Sequence, residues 1–401
     1  MNYRILVFYS LATLTTLTLR AQLPYKYDND YRRVYAADLC RLAKEHPDLV
    51  IIDVRTPGEF SDTSQYNSLN IGHLRGAINI EIDSIRKDST VMEKFRDKTI
   101  LLYCSHSQRS RRVSKLLSER GFTNFYNLNG GMSNLNQLSG SSFPCKSEWL
   151  QTNLPYKNLN FRESAELIKS QAGLIILDVR PASEFNSTDT SIQKNIGKIK
   201  GAINIPYSEF KQRANDWPKD KTKPILLYSS SGDGDGARAA LQLRAAGYAK
   251  VYHLLGGLDD FEATQGNGYI ENPLTYRLID SRGALLILQS GEPKVVFDTR
   301  PSVEYENKVT GIESYKNLGN IKGAIHAPES EFASVNLPNS KETRILVFGH
   351  AEAYRFAGFL AARGYKKVYL HPGVYDFVWS AFNVADCKED LYFMENHKGL
   401  Y

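Results

Sequence analysis

Val50-Ile51-Ile52-Asp53-Val54-Arg55 is an apolar run closed by Asp-x-Arg, and it recurs as Leu174-Ile175-Ile176-Leu177-Asp178-Val179-Arg180 and as Val295-Val296-Phe297-Asp298-Thr299-Arg300. Short, continuously apolar runs of this kind read as strands buried on both faces of a parallel sheet. The repeat of about 120 residues is too long for a solenoid and suits whole domains. Each copy then passes through a turn with a Gly-Ala-Ile core, Gly72 to Ile78, Gly197 to Ile203 and Gly319 to Ile325. A second apolar strand follows, Ile100-Leu101-Leu102-Tyr103, Ile225-Leu226-Leu227-Tyr228 or Ile345-Leu346-Val347-Phe348. Next come a loop and an amphipathic helix stopped by Gly121, Gly247 or Gly364, and a short closing strand. Strands alternating with helices predict an α/β architecture three times over, each copy a mainly parallel sheet flanked by helices.

Turn-rich stretches mark the boundaries: domains at 24–140, 155–265 and 270–382, with a C-terminal tail at 383–401. Residues 1–21 read as a signal peptide, with Arg4, an uncharged and mostly apolar Ile5 to Leu19, and Ala21 at a cleavage position. That segment is too short and too diluted for a stable membrane span. The expectation is an exported, periplasmic or secreted protein.

In 401 residues, 42% are hydrophobic and 23% charged, an ordinary globular mixture. A net charge of +6 falls short of the concentrated basic stripe of a nucleic-acid binder. No metal site or cofactor is expected. Export places the four cysteines, Cys40, Cys104, Cys145 and Cys387, under oxidising conditions. Cys40 reads as a buried core thiol. Cys145 and Cys387, both outside the repeats, are the expected disulfide pair.

The order Asp-x-Arg, Gly-x-x-x-Gly-Ala, apolar strand, Cys loop, helix and Gly-Gly resembles the rhodanese (thiosulfate sulfurtransferase) family over nearly all of the chain beyond the leader. The family's catalytic loop, Cys-x-x-Gly-x-Arg-Ser, is matched here by Cys104-Ser105-His106-Ser107-Gln108-Arg109-Ser110, with Ser107 in place of the glycine. The resemblance implies that Cys104 and Arg109 are catalytic and that Ser105, His106, Ser107, Gln108 and Ser110 contact substrate. The implied partners are a small anionic sulfur donor and a thiol or cyanide acceptor.

The position of Cys104 points the same way without the resemblance. A cysteine between the end of a strand and the start of a helix meets converging backbone N–H groups and the positive end of the helix dipole, which favour a thiolate. Four residues separate Cys104 from Arg109, one fewer than in cysteine phosphatases of related fold, a smaller ring that suits sulfur better than phosphate. The other copies carry Ser229 and Gly349 where Cys104 stands and read as inactive in sulfur transfer. They keep Asp-x-Arg, so Asp53 and Arg55 read as braces of the fold. Two functions follow: a thiosulfate sulfurtransferase-like enzyme working through a Cys104 persulfide, or an exported sulfur-binding, redox-sensing or scaffold protein whose degenerate copies hold a protein partner.

Overall fold

The computed structural model describes residues 27–28, 31–230, 234–265, 267–271, 273–375, 377 and 394–395. The expected leader and Cys387 lie outside the described residues. Three sheets of one topology carry the chain. In each, the Asp-x-Arg strand lies between the short strand after the Gly-Ala-Ile turn and a central strand; the closing strand and the copy's first strand follow. For the first copy these are Val50–Asp53, Ile78–Asn79, Ile100–Tyr103, Phe125–Leu128 and Tyr31–Val34, all paired in parallel. An antiparallel Tyr27–Asp28 extends that sheet to six strands.

The central strand Ile100–Tyr103 is buried throughout and splits its side chains between two layers. Leu101 and Tyr103 join Leu39, Leu42 and Leu135 on one face. Ile100, Leu102 and Cys104 join Val113 and Leu117 on the other, as the two-residue period of a strand requires. Cys104 is thereby delivered to the layer of the helix that follows it, Gln108–Glu119.

Asp-x-Arg is a brace in every copy. Arg55 donates through Nε and an Nη to the Asp53 carboxylate and reaches the Gly72 carbonyl at 2.7 Å. Arg180 and Arg300 repeat the pattern, on Asp178 with Gly197 and on Asp298 with Gly319. All six side chains are buried, and each pair ties the strand end to the glycine turn.

Each turn is also covered from downstream. Leu150–Gln151 pairs antiparallel with His73–Leu74, Ile270–Glu271 with Lys198–Ile199, and Met394–Glu395, in the C-terminal tail, with Asn320–Ile321. The copies are not insulated from one another: Leu258 and Phe261 of the second share one apolar cluster with Tyr276, Leu278 and Tyr354 of the third.

The disulfide differs from expectation. Cys145 is bonded to Cys40, with Cα atoms 5.9 Å apart, and not to Cys387. The stretch after residue 140 reads as a linker, but Phe143 and Cys145 fold back into the first copy's core against Leu39 and Leu42. Cys40, on the helix Leu39–Glu45, packs at the edge of that same cluster, so the two sulfurs meet there.

Candidate active site

Cys104 is a free thiol, 1% exposed, at the C-terminal end of the central strand, where open parallel sheets place their sites. Its loop reaches the helix through Ser107, which holds a left-handed φ of 68°. That conformation explains the glycine preference at this position and costs a serine about 1 kcal/mol. The Ser107 hydroxyl offsets this by donating to the Leu128 carbonyl at 3.0 Å. Ser110, one turn into the helix, places its hydroxyl 3.7 Å from Cys104 Sγ and 3.1 Å from the Ser107 carbonyl, so one proton serves two acceptors.

Arg109 lies beside the thiol and is 25% exposed. Its guanidinium forks onto both carboxylate oxygens of Glu59, at 2.5 and 2.7 Å, and also donates to Ser105 Oγ at 3.0 Å. Burial disfavours that charge, but Glu59 and the neighbouring Cys104 more than restore it, and the arginine is held more firmly protonated than usual. Glu59 is only 2% exposed. Burial raises its carboxyl and the bonds from Arg109 and Thr56 lower it, with a net result below the ordinary carboxylate value.

The loop therefore brings together Cys104, Ser105, Arg109 and Ser110. His106 and Gln108 do not join them. His106 Nε2 meets Ser133 Oγ at 2.8 Å, and both His106 and Gln108 line a cleft of about 900 Å³ among the three copies. Burial, then Arg109, pushes the His106 imidazole below its usual pKa. Ser107 is spent on the backbone, a conformational role.

Two further residues contribute, the first from the Gly-Gly turn visible in the sequence and the second missed by sequence reasoning. Gly131 has φ +55°, and a Cβ there would meet the Cys104 carbonyl at 2.3 Å. Only glycine allows Met132 and Ser133 to donate their N–H groups to the Cys104 and Ser105 carbonyls, at 3.0 Å each. Glu59 is the other. Thr56-Pro57-Gly58-Glu59 carries a capping-box signature, and Thr56 and Glu59 do exchange those bonds across the helix Pro57–Phe60. A glutamate four residues after the Asp-x-Arg arginine recurs as Glu184 and Glu304, facing Ser230 and Lys194 in one copy, His350 and Lys316 in the other.

The family model for the Rhodanese-like domain matches residues 36–138 and 162–264. The chain is a member of the rhodanese-like family. The uncharacterized protein YqhL of Bacillus subtilis is 37% identical over 81 residues, 20% of this chain and 56% of that one. A tRNA uridine(34) hydroxylase of Pectobacterium atrosepticum is 27% identical over 100 residues, 24% of this chain and 26% of that one. Both matches thus span less than two thirds of the curated relative. Among solved structures, the thiosulfate sulfurtransferase of Pseudomonas aeruginosa aligns at a TM-score of 0.24 and 17% identity, covering 86% of this chain and 67% of that one. Wild-type EanB aligns at 0.28 and 17%, covering 88% and 97%. Membership of the rhodanese-like family supports sulfur-transfer-type chemistry in general, and within this chain only the first copy has a thiol in the loop.

Proposed function

We propose that the protein is a sulfurtransferase that carries sulfane sulfur on Cys104. The Cys104 thiolate attacks the outer sulfur of a small anionic donor such as thiosulfate; the donor's S–S bond breaks and sulfite leaves with the electron pair. A thiol or cyanide then attacks the outer persulfide sulfur, and the cysteine recovers its thiolate, a two-step covalent cycle. Arg109 and the N–H groups at the helix start stabilise the donor's oxygens and the transferred sulfur. The observation that carries this reading is the grouping of a free thiol, the Ser110 hydroxyl and the Arg109 guanidinium at one strand-to-helix loop.

Export belongs to the same proposal, because the Cys40–Cys145 bond is at home in an oxidising compartment. Burial of Cys104 favours a second reading, a stoichiometric sulfur carrier or sensor whose thiol reacts without rapid turnover. Intact mass measured before and after thiosulfate, and again after cyanide, tests both. One sulfur gained and then lost, with sustained thiocyanate production, supports the enzyme. Gain without turnover supports the sensor, and no gain removes both.

A further inference from the structure

In the second copy the central strand Pro224–Tyr228 ends on Ser229, at the place Cys104 holds in the first. Ser229 Oγ accepts the backbone N–H of Gly236 at 3.2 Å, in the first turn of the helix Asp235–Ala245. The positive end of that helix faces the oxygen and favours negative charge developing on it. On the adjacent strand Lys250–Leu254, His253 Nδ1 lies 2.8 Å from Asn158 Oδ1. An amide oxygen only accepts, so Nδ1 carries the proton and the Nε2 lone pair is left without a hydrogen-bond partner among the described residues.

Gly236 locates that lone pair. A Cβ on Gly236 would stand 2.8 Å from His253 Nε2 and 3.2 Å from Ser229 Oγ, so both atoms border one small space that any other residue would fill. Glycine inside a helix costs about 0.5–1 kcal/mol relative to alanine, and here it keeps that space open. Ser229 is 3% exposed and His253 7%, and both line a cavity of about 280 Å³ whose lining also includes His106 and Ser133 of the first copy. Burial pushes the His253 pKa down to about 4, and the ring is neutral at pH 7.

We propose that Ser229, His253 and Asn158 act as nucleophile, base and orienter in cleaving small acyl esters within this cavity. The Ser229 hydroxyl, which donates to the Ser230 carbonyl at 3.4 Å, must turn to His253 Nε2 and pass its proton there as Oγ bonds to the acyl carbon; the ester C–O bond breaks and the departing alcohol takes that proton. Water then gives a proton to Nε2 as its oxygen bonds to the acyl carbon, and Ser229 Oγ leaves and recovers the proton while the acid is released. Asn158 holds the ring in the required tautomer. The volume falls at the lower edge of the ~300–1,000 Å³ of ligand pockets and suits a short acyl group. This activity stands apart from Cys104.

The test uses the full chain carrying Cys104→Ala, since a thiol also attacks activated esters. A fluorophosphonate probe should add once, with peptide mass placing it on Ser229, and 4-nitrophenyl acetate should be hydrolysed catalytically. Ser229→Ala should remove the label and lower hydrolysis 10²-fold or more in protein that still melts cooperatively, with only the small loss of stability expected from the missing Gly236 hydrogen bond. His253→Gln should act similarly on hydrolysis, and Asn158→Ala less severely. Should a variant fail to fold, the labelled position in the parent protein still decides. A folded parent that takes no probe at Ser229, or hydrolysis indifferent to Ser229→Ala, overturns the proposal. With Cys104 restored, sulfur uptake should be unaffected by Ser229→Ala, which keeps the two activities separable.

Discussion

Glu59 holds Arg109 through both carboxylate oxygens, and its counterparts Glu184 and Glu304 face the equivalent loops of copies whose arginines pair elsewhere, Arg238 with Asp235 and Arg355 with Glu329. The glutamate is thus a constant of the fold that the first copy has turned on its arginine. On the proposed function, an anionic donor shares Arg109 with this carboxylate.

Glu59→Gln should remove that competition and lower KM for thiosulfate while costing about 2 kcal/mol, less than the 3–5 of breaking a fully buried pair because Arg109 is a quarter exposed. The pH dependence follows from the sign of the shift. A carboxyl held below its unfolded value contributes stability that is present above about pH 4.3 and lost as pH falls through the folded value. Urea melts from pH 7 to pH 3 should show this loss in the parent and a flatter curve in Glu59→Gln. Parallel curves contradict the assignment.

Much of this was legible in the sequence, because strand patterning and Asp-x-Arg are local signals repeated three times, and Cys104 is the one cysteine placed in a strand-to-helix loop. Glu59 was not read, though its capping box was visible, since fifty residues separate it from Arg109 and only the sheet brings them together. The disulfide was misassigned for a related reason: Phe143 and Cys145 look like linker and are core. Ser229 and His253 lie on adjacent strands, with Asn158 on the next, a juxtaposition no spacing announces.

The Cys40–Cys145 bond closes a loop with a sequence separation of 105, for which chain entropy predicts close to the upper end of the ~2–5 kcal/mol usual for a native disulfide. Replacing both cysteines by alanine should lower stability by that order without touching the Cys104 loop. Non-reducing peptide mapping should recover the Cys40–Cys145 peptide and leave Cys104 alkylatable. A peptide joining Cys145 to Cys104 or Cys387 would overturn the assignment.

Glu262 is fully buried beneath the junction of the second and third copies, and both its carboxylate oxygens lack a hydrogen-bond partner among the described residues. Burial foremost, then Asp259, raises its pKa to about 8 against the opposing pull of Arg180. A raised carboxyl destabilises the fold progressively as pH climbs from its unfolded value near 4.3 towards that figure, because the unfolded chain ionises first. Glu262→Gln should therefore stabilise the protein more at pH 8 than at pH 5. Melting temperatures of both proteins across that range check it, and an equal offset at both ends contradicts the buried neutral carboxyl.

The decisive prediction concerns Cys104 and Arg109 in the full chain. Cys104→Ser should abolish sulfur transfer, since an alcohol there forms no persulfide and the loops of the other copies offer only Ser229 and Gly349. Arg109→Ala should lower kcat/KM about 10²–10³-fold, the range for loss of one electrostatic stabiliser. It also leaves Glu59 buried without its cation, so activity must be compared at equal folded fraction. Arg109→Lys should recover part of the loss, because a point charge answers Glu59 and the donor without the planar fork that now spans both carboxylate oxygens. The measurement is thiocyanate production by each variant, with intact mass reporting persulfide. Turnover that survives Cys104→Ser would move the chemistry elsewhere, and an Arg109→Ala variant that loads and releases sulfur at the parent's rate would reduce that arginine to a partner for Glu59.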